Sequence, residues 1–233
     1  MEKNVVIGKA YGRHKTPTLE SAINNIILWP TWTVPESIVK NEMKSFKGYD
    51  VVRTGNSIKV IQPAGINNSL GAVKILFPNK YSVYIHDTPS KYLFKSDYRA
   101  QSHGCVRCQD PLEVAAYLMQ MDTFHISYDS LVALKESGVE TRSFRFKKPI
   151  PVFFKYFTAE VDWDGKLKYY TDVYKRDTEM MAYIFGNKQP VKQDPPPKKS
   201  VQKDSAPWQS IPVVERQTAK KDSVEILPGS TAN

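Results

Sequence analysis

The stretch HDTPSKYLFKSDYRAQSHGCVR, from His86 to Arg107, decides how this 233-residue chain is read. It carries two of the four histidines and one of the two cysteines, as His86 and then Ser102-His103-Gly104-Cys105. A cysteine attacks as its thiolate, and a free thiol with a pKa of about 8.5 supplies only a few per cent of that form near neutrality. An imidazole within hydrogen-bond reach takes the proton and holds it as an ion pair. Two imidazoles and a thiol in one short window therefore point to acyl transfer by a cysteine nucleophile.

Spacing separates their roles. His103 and Cys105 are two apart, which puts them on one face of a strand and leaves their geometry open in a turn. His86 closes the run Tyr81-Ser82-Val83-Tyr84-Ile85, which alternates like a strand, so its side chain is expected at a strand end over the sheet. Gly104 allows a tight turn and a close backbone approach. The amides of Gly104 and Cys105 are expected to face a developing oxyanion, each such donor contributing roughly a hundred- to a thousand-fold in rate. Arg107 has a planar fork suited to a substrate carboxylate. Cys105-Val106-Arg107-Cys108 is also a C-x-x-C, the pattern of a redox dithiol or of half a zinc site. The redox reading expects a strand–helix context that this region lacks. A zinc site could recruit His86, His103, Cys105 and Cys108, with no second C-x-x-C to support it. Cys108 itself reads as a small buried hydrophobe, or as a thiol that oxidises against Cys105.

The pattern His86, fifteen residues, then Ser102-His103-Gly104-Cys105-Val106-Arg107 resembles the signature of the L,D-transpeptidase (YkuD-type) catalytic domain. Gly71-Ala72-Val73-Lys74-Ile75-Leu76-Phe77-Pro78-Asn79 and Tyr84-Ile85-His86-Asp87-Thr88-Pro89 are similar to the larger members of that family. So are Trp32-Thr33-Val34-Pro35-Glu36-Ser37-Ile38 and Asp110-Pro111. The resemblance runs from about Val5 to about Asp177. It departs from the family at Cys108, where an apolar residue is the norm. It departs again at the start, where the family carries a hairpin and an export signal ahead of the equivalent of Val5–Gly8. The chain is therefore expected to be N-terminally truncated, with a sheet edge left bare.

Composition sets broad limits. With 41% apolar residues, the length suffices for a substantial core and a peripheral segment. The formal charge of +9 suits a polyanionic partner, but there is no basic helix or aromatic–basic stripe to specify nucleic acid. Met1-Glu2-Lys3-Asn4 leads straight into the strand-like Val5-Val6-Ile7-Gly8, and no apolar run approaches the roughly 18 residues of a membrane span.

Along the chain, the resemblance implies a strand over Ile23–Leu28 and an extended connection over Pro30–Pro35. A helix follows from Ser37, and 48–52 and 57–62 read as strands around Thr54-Gly55-Asn56. Residues 71–77 and 81–86 are expected to pair around Pro78-Asn79-Lys80. A polar loop follows, tucked down by Tyr92, Leu93 and Phe94. Asp110 is expected to cap a helix with Pro111 in its first turn, and Ser127 or Asp129 to cap another ending near Gly138. Phe144–Phe146 and Pro151–Val161 read as strands, the second turning at Asp164-Gly165 into Leu167–Tyr170. His125 reads as structural. Residues 1–180 make up the catalytic domain, and a Pro- and Lys-rich tail over 187–233 reads as disordered.

The expected fold is mostly β, a sandwich-like mixed sheet with flanking helices. The resemblance implies an enzyme of the cell envelope or periplasm that acts on peptidoglycan stem peptides. Cys105 would attack the bond before the terminal D-alanine of a tetrapeptide stem and pass the acyl group to an amine of a neighbouring stem, forming a 3→3 cross-link. His86 would be the general base and later acid, His103 would orient the site, Gly104 and Cys105 would supply backbone donors, and Arg107 and Ser102 would contact substrate. No metal or cofactor is implied, and carbapenem β-lactams would acylate Cys105. The same thioacyl intermediate could instead meet water, as a carboxypeptidase, or anchor a protein to the wall. An inactive wall-binding module is the reading from a different class.

Overall fold

A seven-stranded mixed sheet carries the window around Cys105. The computed structural model describes residues 1–54 and 57–186. Strands β1 (Val5–Gly8), β2 (Leu19–Leu28) and β3 (Trp32–Thr33) precede helix α1 (Glu36–Asn41) and the hairpin β4 (Asp50–Thr54) with β5 (Ser57–Gln62). Next come β6 (Val73–Leu76), β7 (Ile85–His86), β8 (Ala100–Ser102) and β9 (Val106–Cys108), then helices α2 (Pro111–Gln120) and α3 (Tyr128–Glu136). The long β10 (Arg142–Phe154), the hairpin β11 (Ala159–Val161) with β12 (Leu167–Tyr169), and α4 (Arg176–Phe185) complete the series. The main sheet has the order β10-β2-β6-β7-β9-β1-β8, and β3-β5-β4 and β11-β12 form two small sheets. The fold is mostly β with flanking helices, as the sequence indicates.

Alternation along the strands gives the sheet two different faces. Ile26 and Leu28 on β2, with Val73 and Ile75 on β6, point to one side and are almost wholly buried. Helix α2 covers them with Leu112, Ala115, Ala116 and Met119, whose three- and four-residue spacing makes one apolar stripe. Burial on this scale stabilises by about 1.5–3 kcal/mol per large side chain. Lys74, between Val73 and Ile75, must then face the other way. Pairing sets Lys74 opposite His86, and His86 opposite Arg107. These three side chains form one row across β6, β7 and β9, on the face away from α2. Val6 continues the row beside Arg107 and packs with Leu93 and Phe94, which pin the loop after His86. Tyr92 does not join them and is largely exposed.

Several local expectations are corrected. Residues 81–84 are not a strand. The Asn79 side chain donates to the carbonyls of Phe77 and Val83 and accepts from the amides of Tyr81 and Val83, so the backbone curls around it, with Ser82 at φ 56. Asp110 precedes α2 but makes no side-chain cap, because it sits in the left-handed region at φ 47. Ser127 does cap α3, accepting from the Ser130 amide. The two strands expected over 144–161 are divided differently. β10 runs through to Phe154, with a register shift between Arg145 and Ile150, and Ala159–Val161 belongs to the hairpin. Its prolines, Pro149 and Pro151, are tolerated because β10 is an edge strand. Helix α4 was not anticipated. The tail expected over 187–233 lies outside the described residues.

Candidate active site

His86 ends β7 and is buried, with its Nδ1 2.5 Å from the carbonyl oxygen of Asp87. A carbonyl can only accept, so Nδ1 carries the hydrogen and Nε2 is left with a free lone pair. Asp87 is itself held from every side. Its amide donates to the Val73 carbonyl, and its carboxylate accepts from the amides of Ala72 (3.0 Å) and Thr88 (2.7 Å) and pairs with Lys91. Gly71 makes this possible. A Cβ there would lie 2.5–2.6 Å from the Asp87 side chain, and its φ of +61 favours glycine independently.

Cys105 precedes β9 by one residue. The Val106 amide bonds the Tyr84 carbonyl at 3.0 Å, which sets Cys105 level with Tyr84 and two residues out of register with His86. Extended geometry then puts Cys105 on the face that carries His86 and Arg107. Its sulfur is 3.9 Å from the Ser82 carbonyl oxygen. The edge of the Tyr84 ring meets the His86 ring with centroids 5.6 Å apart, and the Lys74 ammonium lies 4.2 Å from the Tyr84 ring centre.

Electrostatics here differ from the ion pair that the sequence suggests. Burial pushes the His86 imidazole down to about 3, and the neighbouring charges of Arg107 and Lys74 act in the same direction. Burial also raises the Cys105 thiol, outweighing the hydrogen bonds from Tyr84 and the nearby Lys74 and Arg107. Both shifts favour uncharged forms. A thiol and a neutral imidazole on one face of the sheet are the forms these shifts favour.

The turn from Ser102 to Cys105 is internally tied. The buried Ser102 hydroxyl donates to the Cys105 carbonyl at 2.6 Å and accepts from the Gly104 amide at 3.1 Å. It therefore shapes the turn, and the Gly104 amide is committed to it. Gly104 adopts φ +118, which needs glycine, and its carbonyl accepts from Thr16 Oγ1 at 2.9 Å. His103 is turned toward Glu42, with 2.8 Å between Nε2 and the carboxylate, and its ring meets that of His14 edge-on at 4.9 Å. Arg107 lies half-buried, and its Nε has no hydrogen-bond partner among the described residues. Cys108 is buried, free and three residues along from Cys105 on the opposite side of the strand; burial raises its thiol to about 11. No three or more His, Cys, Asp or Glu side chains gather as a metal site among the described residues.

The structure thus brings His86, Cys105 and Arg107 to one face and assigns Ser102 and His103 other partners. The Asp87 carbonyl, Lys74, Tyr84 and Thr16 escaped the reading of the sequence. Only Lys74 had a local signal, as one lysine inside the apolar Ala72-Val73-Lys74-Ile75-Leu76.

Comparison with known proteins gives the family. The family model described as YkuD, L,D-transpeptidase catalytic domain, matches residues 1–126. A curated Haemophilus influenzae protein named "Putative L,D-transpeptidase" is 25% identical over 206 residues, covering 77% of this chain and 41% of its own length. The chain thus spans about two-fifths of the relative it matches. Among the described residues, no helix is long and apolar enough to cross a membrane.

Proposed function

The chain belongs to the L,D-transpeptidase catalytic domain family, and from that premise we propose that it is a peptidoglycan L,D-transpeptidase with Cys105 as its nucleophile. The observation that carries this reading is the His86–Asp87 bond, which leaves a neutral Nε2 lone pair on the sheet face shared with Cys105.

Cys105 Sγ attacks the carbonyl of the residue preceding the terminal D-alanine of a tetrapeptide stem while Nε2 of His86 takes the thiol proton. The oxyanion is met by the Cys105 amide. Collapse breaks the C–N bond, His86 returns the proton to the leaving amine, and D-alanine departs from a thioester. A side-chain amine of a second stem then attacks the thioester, giving up its proton to His86, which passes it to the departing sulfur. The product is a 3→3 cross-link. Arg107, whose Nε has no hydrogen-bond partner among the described residues, receives a substrate carboxylate. Ser102 shapes the nucleophile turn, and His103 ties that turn to Glu42. The partners are stem peptides of the cell envelope, and a carbapenem should acylate the same sulfur.

Intact-mass measurement after incubation with a carbapenem tests the reading. One adduct is expected on the native chain, none on Cys105→Ala, and a rate lowered by about 10²–10⁴ on His86→Ala. Incubation with tetrapeptide stems then identifies the acceptor. Cross-linked dimers support transpeptidation, whereas tripeptide alone makes water the acceptor. A folded native chain without adduct would overturn the proposal.

A further inference from the structure

We propose that Thr16 and Tyr174 are positioning residues that aim the Cys105 amide at the substrate carbonyl. The inference rests on the acyl-transfer reading above and adds to that site a brace whose outer member, Tyr174, lies beyond residues 1–126, the part that the family model matches.

In a trans peptide the C=O and the following N–H point in opposite directions. The Gly104 carbonyl is fixed by the Thr16 hydroxyl at 2.9 Å, so the Cys105 N–H is directed away from Thr16. The preceding amide, of Gly104, is taken by Ser102. That makes Cys105 N–H the donor of the turn whose direction is set by Thr16. The peptide needs such a restraint, because glycine at φ +118 offers little resistance to rotation of its own.

Thr16 is fixed in turn. Its hydroxyl accepts from the Gly8 amide at 2.8 Å, and its amide donates to the Tyr174 phenol at 3.1 Å. The Tyr174 phenol donates to the Gly8 carbonyl at 2.8 Å. Tyr156 continues the series, accepting from the Tyr174 amide at 3.0 Å and donating to Asp172 at 2.7 Å. Each hydroxyl gives one hydrogen bond and receives one, so no link can reverse without leaving a buried group unpaired. Thr16 and Tyr174 are both buried. Gly8 closes the fit, since a Cβ there would lie 1.7 Å from the His14 carbonyl oxygen. A phenol from the far end of the described chain thereby reaches the nucleophile turn through one threonine.

Two rates separate positioning from mere folding. Acylation of Cys105 by a carbapenem builds an oxyanion, whereas alkylation of the same sulfur by iodoacetamide does not. Thr16→Val keeps the side-chain shape and removes the donor. It is expected to slow acylation at saturating carbapenem by about 10- to 100-fold, with alkylation of Cys105 within about 2-fold of the native chain. Thr16→Ser, which restores the hydroxyl, should recover acylation. Tyr174→Phe, one link further away, should slow acylation by a smaller factor and serves as the second variant if Thr16→Val does not fold. Equal losses in both rates, or native acylation in Thr16→Val or Tyr174→Phe, would overturn the assignment. A native chain that is alkylated but never acylated would overturn the acyl-transfer reading, and this inference with it.

Discussion

The His86 ring and the Asp87 carbonyl, adjacent in sequence, are joined by a 2.5 Å hydrogen bond that decides which imidazole nitrogen is free. The carbonyl orients the base without adding a full charge beside it. Burial and the Arg107 and Lys74 charges outweigh the Asp87 carbonyl and carboxylate, which favour protonation, and leave the imidazole neutral far below its ordinary range.

A pH dependence of acylation follows. An imidazole held to about 3 stays competent as a base in mild acid, so carbapenem acylation of Cys105 should stay flat from pH 7 to about 4.5. A downturn centred near 6.5, measured as adduct formation by mass spectrometry, would contradict the neutral-pair arrangement.

Stability should depend on pH in two windows. For His86 the folded-state pKa is lowered, so the unfolded chain binds more protons between about 6.5 and 3, and stability falls as pH drops through that range. The slope for this group is at most about 1.4 kcal/mol per pH unit. The Cys105 thiol is raised, and Cys108 is raised to about 11, so stability should also fall as pH climbs above 9. Urea midpoints across pH 4–10 measure both limbs. His86→Gln should flatten the acid limb selectively.

Gly71→Ala is expected to lower stability by roughly 1–3 kcal/mol, through the left-handed backbone and the clash with Asp87. Displacing Asp87 also loosens the carbonyl that holds His86. Slowed acylation should therefore persist under conditions where the variant is fully folded, which circular dichroism alongside adduct kinetics would establish.

Asn79→Ala removes the side chain that organises residues 77–83 through four backbone hydrogen bonds. A loss of about 2 kcal/mol is expected. The Ser82 carbonyl beside the thiol should lose its fixed place, and alkylation of Cys105 by iodoacetamide should change with it. An unchanged denaturation midpoint would show that the loop is held by something else.

What was legible in the sequence were the features encoded locally. The β11–β12 hairpin announces itself in Asp164-Gly165 between alternating runs, and α3 in Ser127 with an apolar stripe behind it. His86 and Cys105 stood out because a reactive pair in one window has few other uses. The run Tyr81–Tyr84 misled because alternation predicts a strand only when no side chain competes for the backbone, and Asn79 does. The ion pair misled because a sequence does not reveal how much water an imidazole loses. Thr16 and Tyr174 left no trace at all, since a contact across a separation of 158 residues has no local pattern.

Strand β1 lies between β9 and β8 and is hydrogen-bonded to both. Val5–Gly8 precedes both of its partners in the chain by a long stretch, and those partners flank the turn of Cys105. Such long-range pairing forms slowly, because loop-closure entropy must be overcome before any contact rewards it. A nascent chain therefore presents Cys105 as an ordinary flexible thiol. Only when β1 lies between β9 and β8 is the turn closed, so selective reactivity depends on that long-range pairing, and an incompletely folded molecule carries the nucleophile without its chemistry.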